Sequence, residues 1–416
     1  MKKKSLCLSL LCLFLLGSVC AWAQGGIPQP WEGQPAWLHL EQGKQAYARK
    51  DFGPALVSFD RAISTRRIAF SAASARLSFS LEAKAARKAA GSLQALLDAF
   101  AAEDFLQREY QAIVKAAGAS YRQRFLALKE QRISDSHRAL IEVLLLVLEY
   151  KPLESLKDSL DTLGSTLRAL ANYPEAELWK GRVFLIEGEL AIAERQLLRA
   201  FDMREALDIP EESYSILYEL AELYALRGDA LNDWERIMDR IVQDERSGDG
   251  TRIEASLQNA MRATLLSQGI DRFLTLYRLE PGFTLRANKA LAEYYLERGR
   301  PHALIRSAIA VNMILTRAIA LLRQRDVDYV WSSLDDFLAR AGAQAAVRDY
   351  IDAQELERML LVLADALYVA NARQHAQSLW TSLAAYAGAP YASLARQRLV
   401  DPTGAVRRAA PAPLRP

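Results

Sequence analysis

The sequence predicts an all-α protein, and two observations favour that class. Apolar residues recur at i, i+3, i+4 and i+7 from Trp37 onward, for example at Leu217, Leu220, Ala221 and Tyr224, and this spacing places them on one face of a helix. Among 416 residues there are only 20 glycines and 14 prolines, whereas an all-β chain needs a turn about every 8–12 residues. No segment shows the sustained alternation of apolar and polar residues that is typical of a strand.

The first 23 residues have the composition of a secretory signal peptide. Three lysines occupy positions 2–4, an uncharged apolar stretch covers 5–19, and residues 21–23 are Ala-Trp-Ala. A positive start, a short apolar core and a small-x-small site are the three parts of such a peptide. We therefore expect cleavage after Ala23 and export to the periplasm or cell envelope.

Two alternatives remain open for this segment. A retained membrane anchor would need about 20 apolar residues, and the stretch is shorter than that. Lipidation at Cys20 would make the protein an envelope lipoprotein, and residues 16–19, Leu-Gly-Ser-Val, resemble a lipobox in which Val19 replaces the expected small residue. Mass spectrometry of the mature N-terminus distinguishes these cases, because a diacylated Cys20 and a free Gln24 differ in mass.

The mature chain would contain no cysteine, because all three cysteines lie in the leader. Disulfides, a thiolate nucleophile and a Cys-ligated zinc site are therefore excluded for it. The leader also holds three of the 53 basic residues, which leaves 50 against 50 acidic residues. A balanced charge and an exported location give nucleic-acid binding no electrostatic basis.

The sequence predicts no membrane-spanning segment in the mature chain. The most apolar stretch, residues 303–322, contains Arg306 and Arg317, and each arginine would cost about 2.5–3.5 kcal/mol near the centre of a bilayer. We expect this stretch to be a buried helix.

Prolines mark the predicted beginnings of several helices. Pro54, Pro174, Pro210 and Pro301 stand where a helix would start, a position at which the missing N–H of proline costs nothing. Glu175 follows Pro174 and places negative charge on the first turn, which the helix dipole favours.

Small and aromatic residues recur at matched offsets in two predicted helix pairs. These residues are Gly43, Ala46, Tyr47, Phe52, Ala55, Phe59 and Ala62 in the first pair, and Gly181, Phe184, Gly188, Leu190, Ala193, Leu197 and Ala200 in the second. Their order and spacing resemble the tetratricopeptide repeat family, although the family's usual Trp is displaced here, to Trp37 and Trp179.

The resemblance implies an α-solenoid of antiparallel helix pairs wound into a right-handed superhelix. Small residues let two helices approach closely, and because one pair cannot bury its apolar stripe alone, successive pairs stack. Weaker units centre on Ala221, Ala292 and Ala364, with degenerate ones expected around 250–280 and 327–352. The alternative is a generic helical bundle. The positions expected to pack the repeats are Gly43, Ala55, Phe59, Gly181, Ala193, Ala221, Ala292 and Ala364.

Composition and repeat spacing divide the chain into six segments. The region near the N-terminal third is helical by composition, but its spacings do not match the repeat, so it is either a drifted set of repeats or a separate insert. The segments are a signal peptide (1–23), a flexible linker (24–35), a tetratricopeptide-like helix pair (36–66), an atypical helical region (67–172), a tetratricopeptide-like repeat domain (173–400) and a disordered Pro/Ala/Arg tail (401–416).

The sequence contains no motif that is specific for catalysis, metal binding or a cofactor. Its four histidines are not paired at the i, i+4 spacing of a metalloprotease helix. Asp135, Ser136 and His137 have the residue types of a catalytic triad, but neighbours in sequence rarely form one, and a helix cap is expected instead. We therefore expect no metal, no cofactor and no enzymatic activity.

The family resemblance implies a binding groove lined by the first helix of each pair, which would hold a protein or peptide partner. Tyr and Arg are frequent anchors in such surfaces. Ordinary solvated or packing positions are the alternative interpretation. The residues that the resemblance places in the groove are Lys44, Tyr47, Arg182, Tyr218, Glu222, Lys289, Glu293, Asp365 and Tyr368.

The function expected from these features is that of a non-catalytic scaffold or adaptor in the cell envelope. A lipid-anchored envelope-assembly lipoprotein is the second hypothesis. The third is a glycan-cleaving envelope enzyme whose paired carboxylates would have to lie in 67–171, a region that contains several glutamates. Neither the identity of the partner nor an oligomeric state is specified by the sequence.

Overall fold

The structure, a computed structural model, describes residues 34–82, 171–228, 230–388 and 390–409. These residues form fifteen α-helices, one 3-10 turn and one isolated bridge between Arg246 and Arg252, with no strand among them. The all-α prediction is confirmed for this part of the chain. The predicted signal peptide, most of the linker and most of the atypical region lie outside the described residues.

The chain divides into two compact units, residues 1–223 and 224–416. The described helices of unit 1 begin with two antiparallel pairs, and the boundary between the units falls inside the helix that follows them. These helices are α1 (Ala36–Ala48), α2 (Phe52–Glu82), α3 (Pro174–Ile186), α4 (Leu190–Asp202), a 3-10 turn (Arg204–Ala206) and α5 (Glu212–Arg227).

Unit 2 has a long buried helix, α9, packed against the helices around it. The described helices of this unit are α6 (Leu231–Val242), α7 (Ala255–Leu276), α8 (Leu285–Glu297), α9 (His302–Arg323), α10 (Leu334–Gly342), α11 (Ala345–Ala353), α12 (Leu356–Val369), α13 (Arg373–Tyr386), α14 (Tyr391–Val400) and α15 (Thr403–Ala409).

Close packing of α1 against α2 depends on Gly43. A Cβ atom added there would lie 2.3–2.9 Å from three ring atoms of Phe59, whose side chain is fully buried. The second pair repeats the arrangement, because a Cβ at Gly181 would lie 2.7 Å from the Leu197 side chain. Within each pair the glycine therefore accepts the large side chain of the second helix. All eight residues expected to pack the repeats are buried.

Helix α9 is long and apolar enough to cross a membrane, and 72% of its most apolar window is buried inside the protein. It packs against α8, α11 and α12, and Ile309, Val311 and Ile314 are fully buried. The burial expected for residues 303–322 from their two arginines is therefore what the structure shows.

Three features differ from the boundaries drawn on the sequence. Helix α2 continues to Glu82, well past the expected end of the first pair at residue 66. The expected disordered tail begins with helix α15, in which Ala405 is fully buried, so the expectation of disorder is wrong for 403–409. Gly269 interrupts α7 with φ of +77°, a left-handed conformation that glycine adopts readily.

Candidate functional site

An aromatic and cationic cluster occupies adjacent first helices of unit 1. The Tyr47 and Trp179 rings meet edge to face with centroids 5.1 Å apart. The Arg182 guanidinium lies 4.4 Å from the centroid of the Trp179 ring, and Lys44 Nζ lies 5.8 Å from it. Cation–π contacts of this kind contribute about 0.5–2 kcal/mol. Trp179 therefore holds together side chains that the sequence assigned to two separate repeats.

Carboxylates from α1 and α5 pair with both cations. Lys44 Nζ lies 2.7 Å from Glu41 Oε1, and Arg182 Nε lies 2.9 Å from Glu219 Oε1. All four side chains are partly exposed, so each pair contributes about 1 kcal/mol or less to stability. Their effect is to fix the two cations in place across α1, α3 and α5.

We call this surface the α1–α3–α5 face. It includes five of the predicted groove residues, of which Tyr218 on α5 is half-buried and Glu222 is exposed. The members of the face are Glu41, Lys44, Tyr47, Trp179, Arg182, Glu212, Tyr218, Glu219 and Glu222.

Two ionisable groups on this face have shifted pKa values. Burial raises the pKa of Glu212, opposed by Lys44 and Arg182 and reinforced by Asp208. The Oε2 atom of Glu212 is buried and has no hydrogen-bond partner among the described residues. Burial likewise raises the pKa of Tyr47, against the opposing charge of Arg182. Glu212 therefore has one buried carboxylate oxygen without a described donor, although the charges of Lys44 and Arg182 act on it.

A buried ion cluster lies below this face. Arg66 of α2 is fully buried and donates to both carboxylate oxygens of Asp208, at 3.0 and 3.1 Å. Its guanidinium also lies 4.3 Å from the centroid of the Tyr173 ring. Glu175, in the first turn of α3, accepts a hydrogen bond from the Asp208 backbone N–H at 2.6 Å. The cluster thus ties α2, the start of α3 and the segment before α5 together.

Glu175 is the acid of this cluster whose pKa is shifted. It is 5% exposed, and its Oε2 atom has no hydrogen-bond partner in the described part of the chain. Burial raises the pKa of Glu175 well above its ordinary value, and the charges of Asp208 and Glu212 raise it further, whereas Arg66 opposes them. Burial and the neighbouring carboxylates therefore favour the neutral form of Glu175 more than water does.

The raised pKa of Glu175 predicts a loss of stability as the pH rises above the ordinary pKa of a glutamate, 4.5, and through the folded pKa. A group whose pKa is higher in the folded state stabilises the fold at low pH and loses that contribution as the pH rises through the folded pKa. Glu175→Gln keeps a carbonyl for the Asp208 N–H and carries no charge. We expect it to flatten the decrease in the free energy of unfolding that accompanies rising pH, measured by urea titrations at several pH values from about 4 upward. Glu187→Gln, at an exposed position, should keep the wild-type profile, and an unchanged profile in Glu175→Gln would contradict the assignment.

The predicted groove residues of unit 2 are held in an ion-pair network. Arg358 donates to both oxygens of Glu293, at 2.6 and 2.7 Å, and to Glu355 at 2.9 Å. Lys289 Nζ lies 2.6 Å from Glu355 Oε2 and donates to the Gln354 carbonyl at 2.9 Å. These contacts join α8 to the start of α12, so Lys289 and Glu293 have structural roles.

The assignment of Asp365 to the groove is wrong. Its side chain is fully buried, accepts a hydrogen bond from Trp380 Nε1 at 3.1 Å and pairs with Arg398 of α14. Tyr368 is half-buried, and its ring centroid lies 5.5 Å from that of Trp380. Helix α15 packs against α8 and α12. The C-terminal segment therefore covers first helices that were expected to be open to a partner.

Sequence reasoning missed the residues that organise the unit 1 site. Trp179 was identified only as a displaced family residue, and Glu212 was not assigned to the site. Arg66 was not assigned to a site. The local signal that could have identified it is the presence of an arginine within a run of apolar residues at helical spacing, which indicates a buried charge. Its partner Asp208 lies 142 positions away, which no local pattern reveals.

The described residues contain no group of three or more His, Cys, Asp or Glu side chains placed to hold a metal ion. The region in which the enzyme hypothesis would place its carboxylates lies almost wholly outside the described residues.

Comparison with known proteins gives one relative and no family. No protein-family model matches the chain. A protein of Treponema pallidum (strain Nichols), described only as an uncharacterized protein, is 24% identical over 354 residues, which is 85% of this chain and 86% of the relative. The similarity extends over nearly the whole length of both chains and carries no statement of activity.

Proposed function

We propose that this protein is an exported, non-catalytic scaffold of tetratricopeptide-like helix pairs that binds a protein or peptide partner through the α1–α3–α5 face. The observation that carries the proposal is the convergence of Tyr47, Trp179 and Arg182 on neighbouring first helices. Tyr, Trp and Arg are the residue types most enriched among the anchors of protein interfaces. A partly exposed cluster of them, rimmed by charged side chains, is typical of such an anchor site.

The packing of the helix pairs supports the repeat assignment. Gly43 and Gly181 occupy equivalent positions, and each accepts a large side chain from the second helix of its pair. A right-handed superhelix built from such pairs would present its first helices on one inner surface. The binding mechanism is then rigid presentation, which lowers the ordering cost of association because the contact residues are already fixed by their neighbours.

The proposed location is the cell envelope. It is supported by the leader over residues 1–23, with its lysines, its apolar stretch and its Ala-Trp-Ala site. Lipidation at Cys20 is the alternative form of the same proposal, in which the scaffold is attached to a membrane surface through an acylated N-terminus.

Site-specific photo-crosslinking tests the binding surface. A photoreactive phenylalanine analogue replaces Tyr47, because this residue is partly exposed and lies beside Trp179. In cells that produce the protein we expect one discrete crosslinked species after irradiation, identified by mass spectrometry. We expect that Arg182→Ala, introduced in the same chain, weakens the crosslink at least about fivefold, as removal of an interface anchor would.

The matched control places the same analogue at Leu198, which is 39% exposed on the second helix of its pair. No discrete species is expected there. Equal crosslinking from Tyr47 and Leu198 would show that the α1–α3–α5 face is not the specific binding surface. The absence of a crosslinked species at both positions would likewise contradict the proposal.

A further inference from the structure

The α1–α3–α5 face carries more negative than positive charge. Its ionisable side chains other than tyrosine are four glutamates and two cations. Both cations are already paired, Lys44 with Glu41 and Arg182 with Glu219. Glu212 and Glu222 remain, and no described cation forms a salt bridge with either of them.

The buried cluster below the face also contains a carboxyl group with an unpartnered oxygen. Arg66 is the cation of the buried cluster, and it donates to both carboxylate oxygens of Asp208. The Oε2 atoms of Glu175 and Glu212 are buried and have no hydrogen-bond partner among the described residues. The two carboxyl groups are close enough for the charge of Glu212 to raise the pKa of Glu175. A buried acceptor without a partner destabilises the fold, and a donor brought by a ligand would reduce that cost.

The aromatic residues of the face suit a cation as well. Tyr47 lies beside Glu219 and Glu222, whose charges raise its pKa, and its ring is partly exposed. The aliphatic stem of a lysine or arginine can cover such a ring while its charged end reaches a carboxylate. An anionic partner would instead be placed beside Glu212 and Glu222, whose negative charges would repel it.

We infer that the partner of the α1–α3–α5 face presents a basic segment, with a lysine or arginine side chain that donates to Glu212 and a second cation near Glu222. The inference rests on the proposed function and names the chemistry of the partner. It also accounts for the presence of a buried, unpartnered carboxylate oxygen on a surface that is otherwise well paired.

Fluorescence anisotropy with three synthetic peptides tests this inference on the full chain. The labelled peptides are four repeats of Gly-Lys-Ala, of Gly-Gln-Ala and of Gly-Glu-Ala at one fixed salt concentration. We expect the lysine peptide to bind most tightly, because surface charge complementarity favours it. We expect Glu212→Gln combined with Glu222→Gln to weaken that binding at least about fivefold.

The control variant combines Glu187→Gln with Glu211→Gln, two exposed acids in the same unit. It changes the net charge equally and should alter the affinity less than about twofold. Circular dichroism of both variants checks that they remain helical. Equal losses in the two variants, equal affinities for the lysine and glutamine peptides, or tighter binding of the glutamate peptide overturns the inference.

The crosslink from Tyr47 separates failure of this inference from failure of the proposed function. If the crosslink forms and the lysine peptide shows no preference, the face binds a partner of different chemistry, and only the inference is lost. If the crosslink is absent and no peptide binds, both are lost.

Discussion

Arg66→Leu is expected to destabilise unit 1 by about 3–5 kcal/mol, the usual cost of removing one partner from a buried ion pair. Arg66 is fully buried and gives Asp208 two hydrogen bonds. Without the guanidinium, Asp208 would lose these two hydrogen bonds, and Glu175 would lose the positive charge that opposes the rise in its pKa. The leucine fills part of the space but can donate to neither carboxylate.

Hydrogen exchange followed by mass spectrometry measures this effect, because it reports the opening of α3 separately from unit 2. The amide protection of peptides from 174–202 should fall in Arg66→Leu. Arg67→Leu is the matched control, since Arg67 is exposed at the next position of the same helix, and it should stay within about 0.5 kcal/mol of wild type. Equal amide protection in the two variants would show that the buried ion cluster contributes little to the stability of α3.

The helical class could be predicted from the sequence because it depends on local spacing. The signals for a helix are local: apolar residues at helical intervals, prolines at helix starts and the scarcity of glycine can each be recognised within a few residues. Pro174 begins α3 and Pro301 precedes α9, as expected. The end of α2 could not be placed, because the helical pattern continues through residue 66 without a glycine or a proline to stop it.

The candidate site could be predicted only in part. Lys44, Tyr47 and Arg182 were assigned to one surface by their equivalent repeat positions, and the structure brings them to the same aromatic ring, that of Trp179. Asp365 occupies a similar repeat position but is buried by Trp380 and Arg398. The difference arises from a C-terminal helix whose packing depends on contacts that are distant in sequence.

Gly43→Ala is expected to destabilise unit 1 by about 2–3 kcal/mol, in the upper range for overpacking of a filled core. The new Cβ would lie 2.3 Å from a carbon of the Phe59 ring. Phe59 is fully buried, and its ring also stacks against Trp179 at 6.4 Å, so it cannot move away without disturbing the next helix. Gly53→Ala is the control, because nothing lies within 4 Å of a Cβ there, and it should be neutral or slightly stabilising, since alanine favours the helix.

A double-mutant cycle tests whether the ring of Phe59 causes the loss of stability in Gly43→Ala. In a Phe59→Ala background the ring is gone, so Gly43→Ala should lose most of its cost and the two effects should be strongly non-additive. Hydrogen exchange of α1 and α2 peptides provides the free energies. Full additivity would mean that the glycine is required by the backbone of α1 and not by the neighbouring ring. Close approach of the two helices would then have another origin, and the equivalence of Gly43 and Gly181, on which the repeat assignment depends, would be coincidental.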